Sequence, residues 1–187
     1  MSTKIRYTIH DLARFPDDGS RYEIIDGDLH VSRQPHWRHQ FAVDQFGDAL
    51  RDWNRETRMG VAISAPGVIF AVDEAVAPDL VWISRERFPR VVGDDGKLHQ
   101  APDLVVELLS PGTENEARDR ELKLEVYSRR GVREYWIVDW QAANVAVYRR
   151  EQEALRLVAT LTGEDRLTSP LLPDFARRVG DLCAAPI

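Results

Sequence analysis

PDLVVELLSPGT, Pro102 to Thr113, decides the fold. Its centre, DLVVELL from Asp103 to Leu109, is a nearly continuous apolar run, as expected of a strand buried on both faces of a sheet. Ser110-Pro111-Gly112 stops it. One residue breaks the pattern. Glu107 puts a carboxylate near the end of the most hydrophobic strand in the chain, where an unpaired charge is costly. Either backbone N–H groups satisfy it at a strand end, or it is kept for chemistry.

Downstream, Thr113 and Glu116 have the spacing of a capping box, which predicts a helix running to about Arg130 with Gly131 as its C-cap. Tyr135 to Val138 and Val145 to Tyr148 read as a hairpin around Trp140 to Asn144, and Leu155 to Leu161 as a further strand. Upstream, Asp79 to Ile83 follows Pro78 as a strand, and Val61 to Ile63 and Val68 to Val72 are strands interrupted by Pro66-Gly67. Ala42, Phe46, Ala49, Leu50 and Trp53 recur at helical spacing with charges between them. Tyr22 to Ile25 and Leu29 to Val31 flank Asp26-Gly27-Asp28, a strong hairpin signal. About Arg85 to Ala101 reads as a long charged loop inside one domain. The order is hairpin, helix, strands, helix, strands. It predicts a mixed α/β domain with a central sheet, residues 1–187 forming one unit.

At 187 residues the chain has room for one ordinary domain, and its 43% apolar and 30% charged residues suit a globular one. No apolar run approaches the roughly 18 residues of a spanning helix, so no membrane partner is expected. The start, MSTKIRYTIHD, lacks the apolar run of a signal peptide, and no repeat of 20–50 residues is visible. A single cysteine, Cys183, excludes an intramolecular disulfide and a Cys-rich zinc site; it reads as a small apolar residue and fits a cytoplasmic protein. The net charge of −6 argues against a general coat of nucleic acid. Binding to nucleic acid has to come from a local site.

Such a site can be assembled. Asp79, at the start of its strand, and Glu107 are carboxylates on strands that could converge at one sheet end. Together they would suit a hard cation such as Mg²⁺. Lys123 lies on the following helix with Asp119 one turn before it and Tyr127 one turn after, all on one face. The plain alternatives stand beside this. Asp79 after a proline is a common turn residue, and Asp119 with Lys123 is by default a solvated ion pair. None of the five histidines has HExxH spacing, and there is no phosphate-loop glycine pattern or G-x-S-x-G elbow. The pairs Arg129-Arg130, Arg149-Arg150 and Arg177-Arg178 read as solvated faces. Arg85, Arg87 and Arg90 would grip phosphates only if their loop lay beside Asp79. Tryptophans 37, 53, 82, 136 and 140 read as core or interface rather than base-stacking platforms.

Taken in order, RYEIIDGDL (Arg21–Leu29), APDLVWI (Ala77–Ile83), PDLVVELLSPGT, DRELKLEVYSRRGVREYWIVDW (Asp119–Trp140) and SPLLPDF (Ser169–Phe175) resemble the blocks of a known family. It is the Uma-type restriction endonuclease family, a branch of the PD-(D/E)XK nuclease superfamily. The resemblance runs from about Thr8 to Leu182. It implies a restriction-endonuclease-like core, a mixed sheet flanked by helices. Asp79 would match the aspartate of the PD motif and Glu107 the acidic residue of (D/E)XK, both as ligands of Mg²⁺ or Mn²⁺. Leu109 departs from the pattern, which has lysine there, and the resemblance implies that Lys123 takes over from the next helix. Asp119 would position that lysine. Glu23 would add a carboxylate or hold the hairpin, and His39 would face the site or sit on its helix surface. The expectation is a DNA endonuclease, a homodimer if it cuts both strands. The alternative is an inactive nuclease fold serving as a binding or assembly module.

Overall fold

The computed structural model describes residues 5–109 and 118–185, the side chains of residues 118 and 119 excepted. The Asp26-Gly27 turn joins β1 (Arg21–Ile25) to β2 (Asp28–Ser32), with φ at +49° and +73° in the left-handed region that such tight hairpins require. The amphipathic stretch forms α2 (Trp37–Thr57), after a one-turn α1 (Ile9–Leu12). Strands β3 (Gly60–Ser64), β4 (Val68–Ala71), β5 (Glu74–Val76) and β6 (Leu80–Ser84) follow. A one-turn α3 (Phe88–Val91) then precedes the buried strand β7 (Leu104–Leu108). The second main helix, α4 (Lys123–Arg130), is preceded by a π-helical turn, Arg118–Leu122, and ends at Gly131 with φ +91°. The capping box at Thr113 and Glu116 lies outside the described residues. The chain continues with β8 (Glu134–Asp139), β9 (Asn144–Glu151), β10 (Ala154–Leu161), β11 (Arg166–Ser169), β12 (Leu172–Arg178) and α5 (Val179–Cys183).

The central sheet has the order β10-β9-β8-β7-β6-β3. β7 and β8 are parallel, with Val105 opposite Tyr135, and the other neighbours are antiparallel. Parallel neighbours need a crossover, and α4 lies in it. Alternation along β7 divides the core. Leu104, Val106 and Leu108 face α2 with Trp82 and Trp136, whereas Val105 faces Val126 and Tyr127 of α4. Glu107 shares the Val105 face. It therefore points toward α4.

Four readings of the sequence are corrected here. A second sheet, β2-β1-β5-β4, covers the α4 side of the central one, and a β11-β12 ribbon closes the other end of the chain. β5 is three residues long and opens on a glutamate, and β11 (RLTS) is short and polar, so neither carries a periodic signal. The Arg85 to Ala101 segment is pinned by α3 and by bridges from Leu98 to Val68 and Val92. It leaves the C-terminal end of β6, away from Asp79, and Arg87 instead pairs with Asp103 at 2.9 Å. Two of the arginine pairs are structural. Arg129 and Arg130 both bind the buried Glu74, and Arg150 donates to the Val132 carbonyl at 2.9 Å. Finally, Trp53, Trp82, Trp136 and Trp140 are buried, but Trp37 is 54% exposed. Among the described residues no helix is long and apolar enough to cross a membrane.

Candidate active site

β6 and β7 pair with Leu80 opposite Val106. One step further along the same register, Asp79 stands alongside Glu107, on one face of the sheet. Both are buried, as are Glu23, His39 and Lys123. These acids and bases meet where β6 begins and β7 ends. A cleft of about 110 Å³ opens there, lined by Arg21, Gln34, His39, Asp79, Glu107 and Lys123 among others.

Glu107 is held from α4. Lys123 Nζ lies 2.9 Å from its Oε1, and the Tyr127 hydroxyl donates to the same oxygen at 2.7 Å. Residues four apart on a helix project from one face, which is why both reach one carboxylate. Burial, with the Glu107 charge second, pushes the Tyr127 phenol well above its ordinary 10, so it remains a proton donor. Lys123 Nζ also lies 3.1 Å from Glu23 Oε1, which in turn accepts the Ala77 N–H at 2.9 Å. Lys123 is therefore no solvated helix residue. Its ammonium bridges two strands from different sheets. The side chain of Asp119, the residue expected to position it, lies outside the described residues.

Asp79 is held from the other side. Arg21 donates to its Oδ1 at 2.8 Å and the Leu108 N–H to its Oδ2 at 2.9 Å. Burial alone would raise this carboxyl's pKa, but the His39 hydrogen bond and the charges of His39, Arg21 and Lys123 outweigh it and hold the group well below the usual carboxylate range. Arg21 was missed in the sequence. The available signal was its position two residues before Glu23, just ahead of the strand read from Tyr22 to Ile25, which on an extended chain places both on one face.

His39 sits in the first turns of α2, whose start is capped by His36 Nδ1 accepting the Arg38 N–H at 3.1 Å. It is buried and site-facing rather than on the helix surface. Its Nε2 lies 3.1 Å from the Leu108 carbonyl and 3.4 Å from Asp79 Oδ2. Both neighbours accept, so Nε2 carries the proton. Burial pulls the imidazole pKa down, but Asp79 outweighs it and holds the value above the ordinary 6.5.

Leu109 stands where the resemblance leads one to expect lysine. It is buried in the apolar cluster with Val105 and Tyr127, and its N–H donates to Val138 at 2.9 Å. A cation there would have to displace core packing.

Among the described residues no group of three His, Cys, Asp or Glu side chains is arranged to hold a metal ion. A closed cage of the zinc type is thus not what these side chains form. Mg²⁺ asks for less, because it keeps several waters and binds through one or two carboxylates. Asp79 and Glu107, with the Leu108 carbonyl beside them, meet that donor set.

The family model described as "Uma2: Putative restriction endonuclease" matches residues 9–180. No curated protein matches the chain. A solved structure from Anabaena variabilis, described as "a putative nuclease belonging to DUF820", superposes with a TM-score of 0.74 at 19% identity, covering 94% of this chain and 97% of that one. At that identity the likeness concerns the fold, a mixed central sheet flanked by helices.

Proposed function

Because this chain belongs to the family described as "Uma2: Putative restriction endonuclease", we propose that it is a metal-dependent endonuclease that hydrolyses phosphodiester bonds in DNA. The observation carrying this reading is the side-by-side placement of Asp79 and Glu107 at a cleft, with the Lys123 ammonium 2.9 Å from Glu107. Asp79, Glu107 and the Leu108 carbonyl would hold Mg²⁺ or Mn²⁺. The metal, when bound, polarises the phosphodiester and lowers the pKa of a bound water. Lys123 supplies a fixed positive charge where negative charge develops on the phosphate. Tyr127 and Glu23 keep that ammonium and Glu107 in register. His39 orients Asp79, and Arg21, whose guanidinium lines the same cleft, offers donors to a phosphate oxygen.

Plasmid cleavage with Mn²⁺ tests this, comparing wild type with Glu107→Ala. A Glu107-dependent nick is expected. Equal activity in both proteins, or none in either across varied DNA substrates, overturns it.

A second reading is a nuclease fold that only binds or assembles. Its support is that both carboxylates are already engaged by Arg21 and Lys123, and that Leu109 is apolar. Calorimetry with Mn²⁺ separates the two. Binding that disappears in Asp79→Ala supports the enzyme. Cutting both strands of a duplex would need two active sites, which a twofold homodimer supplies.

A further inference from the structure

The sequence around the head of α2, Arg33 to Arg38, divides between two cavities. Arg33, Gln34 and Pro35, together with His39, line the catalytic cleft. His36, Trp37 and Arg38 line a larger one of about 630 Å³, together with Phe41, Trp140, Gln141 and the segment Cys183 to Ala185. The two are therefore separated by a single turn of chain. They are joined through β7 as well. Leu108 N–H bonds Asp79 in the cleft, and the next residue's carbonyl, Leu109 O, accepts the Trp140 indole N–H at 3.1 Å.

The larger cavity is built of flat π-surfaces. The His36 ring stacks on Trp140 with centroids 6.0 Å apart and 15° between planes, and Trp37 lies 5.8 Å from His36. Arg38 places its guanidinium 5.3 Å from the Trp37 ring centre. Trp37 is 54% exposed, unlike the other four tryptophans, which pack in the core. What sets Trp37 apart from other exposed apolar side chains is its place in this stacked row of rings and guanidinium. Charge narrows what such a row would bind. The chain carries 31 acidic against 25 basic residues, yet among the described residues the lining of this cavity includes Arg38 and no aspartate or glutamate. Aromatic platforms interleaved with arginine suit a nucleobase with its phosphate, since every base has a π-face. The volume falls in the range of ordinary ligand pockets and exceeds that of one base.

We propose that this cavity is a base-stacking subsite: an unpaired nucleotide of the nucleic acid occupies it, its base on Trp37 and its phosphate beside Arg38. The inference rests on the nuclease reading of the adjoining cleft for its substrate and adds what kind of nucleic acid that cleft receives. A base in regular duplex is stacked on both faces and unavailable to Trp37. The subsite therefore selects single-stranded segments, flaps or extruded bases next to the bond presented to Asp79 and Glu107.

Binding is measured by fluorescence anisotropy with a labelled single-stranded oligonucleotide in EDTA, so that cleavage plays no part. The proteins are wild type, Trp37→Ala and Trp37→Phe. Trp37 lies outside the core, so both variants are expected to melt as wild type does. Trp37→Ala is expected to weaken binding roughly tenfold or more, and Trp37→Phe to retain most of the affinity. An oligomer of the same length made only of abasic sugar phosphates should bind all three proteins equally. Unchanged oligonucleotide binding in Trp37→Ala overturns the proposal, and so does an equal loss on the abasic oligomer. A shift from dimer to monomer on sedimentation of Trp37→Ala, with oligonucleotide affinity intact, also overturns it and gives this face to a second copy of the chain. The two readings fail separately. Trp37-dependent binding without any cleavage upholds the subsite and removes the nuclease, whereas Glu107-dependent cleavage with Trp37-indifferent binding does the reverse.

Discussion

Strand β7 ends in a buried acid at each end, and the two ends are managed differently. At its start, Asp103 Oδ1 forms an ion pair with Arg87 at 2.9 Å and accepts from Arg133 at 3.1 Å, and Oδ2 accepts from the Ser84 N–H at 2.8 Å. Beside it, Glu134 takes the Trp136 indole at 2.7 Å, the Ser169 hydroxyl at 2.9 Å and Arg149 at 3.4 Å. The cations there keep one side in water, Arg133 being 53% exposed. At the other end Glu107 is held by Lys123, which is 1% exposed. Burying an ion pair is costly, and replacing both of its members with apolar side chains of similar volume is often as stable or better. The Asp103 end has the make-up of a structural clasp. The Glu107 end keeps a charge that packing alone would not require, beside a cleft. That asymmetry is the physical reason to place chemistry at one end of the strand and stability at the other.

The largest expected effect breaks the buried end. Lys123→Met leaves Glu23 and Glu107 facing each other across the lost ammonium, and urea unfolding at pH 7 should show a loss of about 3 kcal/mol. Two neighbouring carboxylates respond by sharing a proton, so the loss should shrink as the pH is lowered toward 5. Adding Glu23→Gln to Lys123→Met should restore a good part of the stability. Arg133→Ala at the clasp should cost about 1 kcal/mol or less, because its exposed pair is screened. Equal losses from Lys123→Met and Arg133→Ala would erase the distinction between the two ends.

Much of this asymmetry was legible before any coordinates. Glu107 stood out because a carboxylate interrupts an apolar run, and the run itself fixed β7 and the sheet's two-sided burial. Lys123 and Tyr127 could be placed on one helix face by spacing alone. What spacing could not give was direction. Whether that face met Glu107 or water depends on the crossover between β7 and β8, a tertiary property. Arg21, the roles of Glu74 and Asp103, and the second sheet were hidden for the same reason. Their partners are 30 to 58 residues away in sequence, as in Arg21 with Asp79, Arg129 with Glu74 and Arg133 with Asp103. Trp37 was grouped with the other tryptophans as core or interface, and its 54% exposure removes the core half of that reading.

A middle-sized effect divides the clasp itself by pH. Burial pushes the Asp103 carboxyl up, but the Ser84 N–H and the two guanidinium groups outweigh burial and hold it below its ordinary 3.8. Its contribution is thus present above pH 3.8 and lost as the pH falls toward the folded-state value. Asp103→Asn should cost about 1–3 kcal/mol at pH 7 and progressively less below pH 3.8. Glu134 behaves oppositely. Burial raises it above its ordinary 4.5, and Trp136, Ser169 and Arg149 offset only part of that. Its contribution is fullest below pH 4.5 and is lost as the pH rises through the folded-state value. Relative to wild type, Glu134→Gln should therefore gain stability as the pH is raised from 4.5. Thermal melts of both variants across pH 3 to 8 check the two slopes. If they run the same way, Asp103 and Glu134 are not an oppositely poised pair.

The smallest effect tests whether the clasp is insulated from the cleft. Ser169 is buried, donates to Glu134 Oε2 at 2.9 Å and accepts the Leu171 N–H at 3.1 Å. Ser169→Ala removes both bonds without changing any charge, so the expected cost is about 1–2 kcal/mol by denaturant unfolding. Glu134 lies at the opposite end of β8 from the cleft, opposite Leu104 in the β7-β8 ladder, whereas Glu107 pairs with Ile137 three residues further along. Below the melting transition, cleavage per folded molecule should then equal that of wild type. A fall in cleavage rate larger than the fall in folded fraction would mean that the start of the ladder sets the position of Glu107 at its end. Stability and chemistry would in that case be properties of the whole β7-β8 pair.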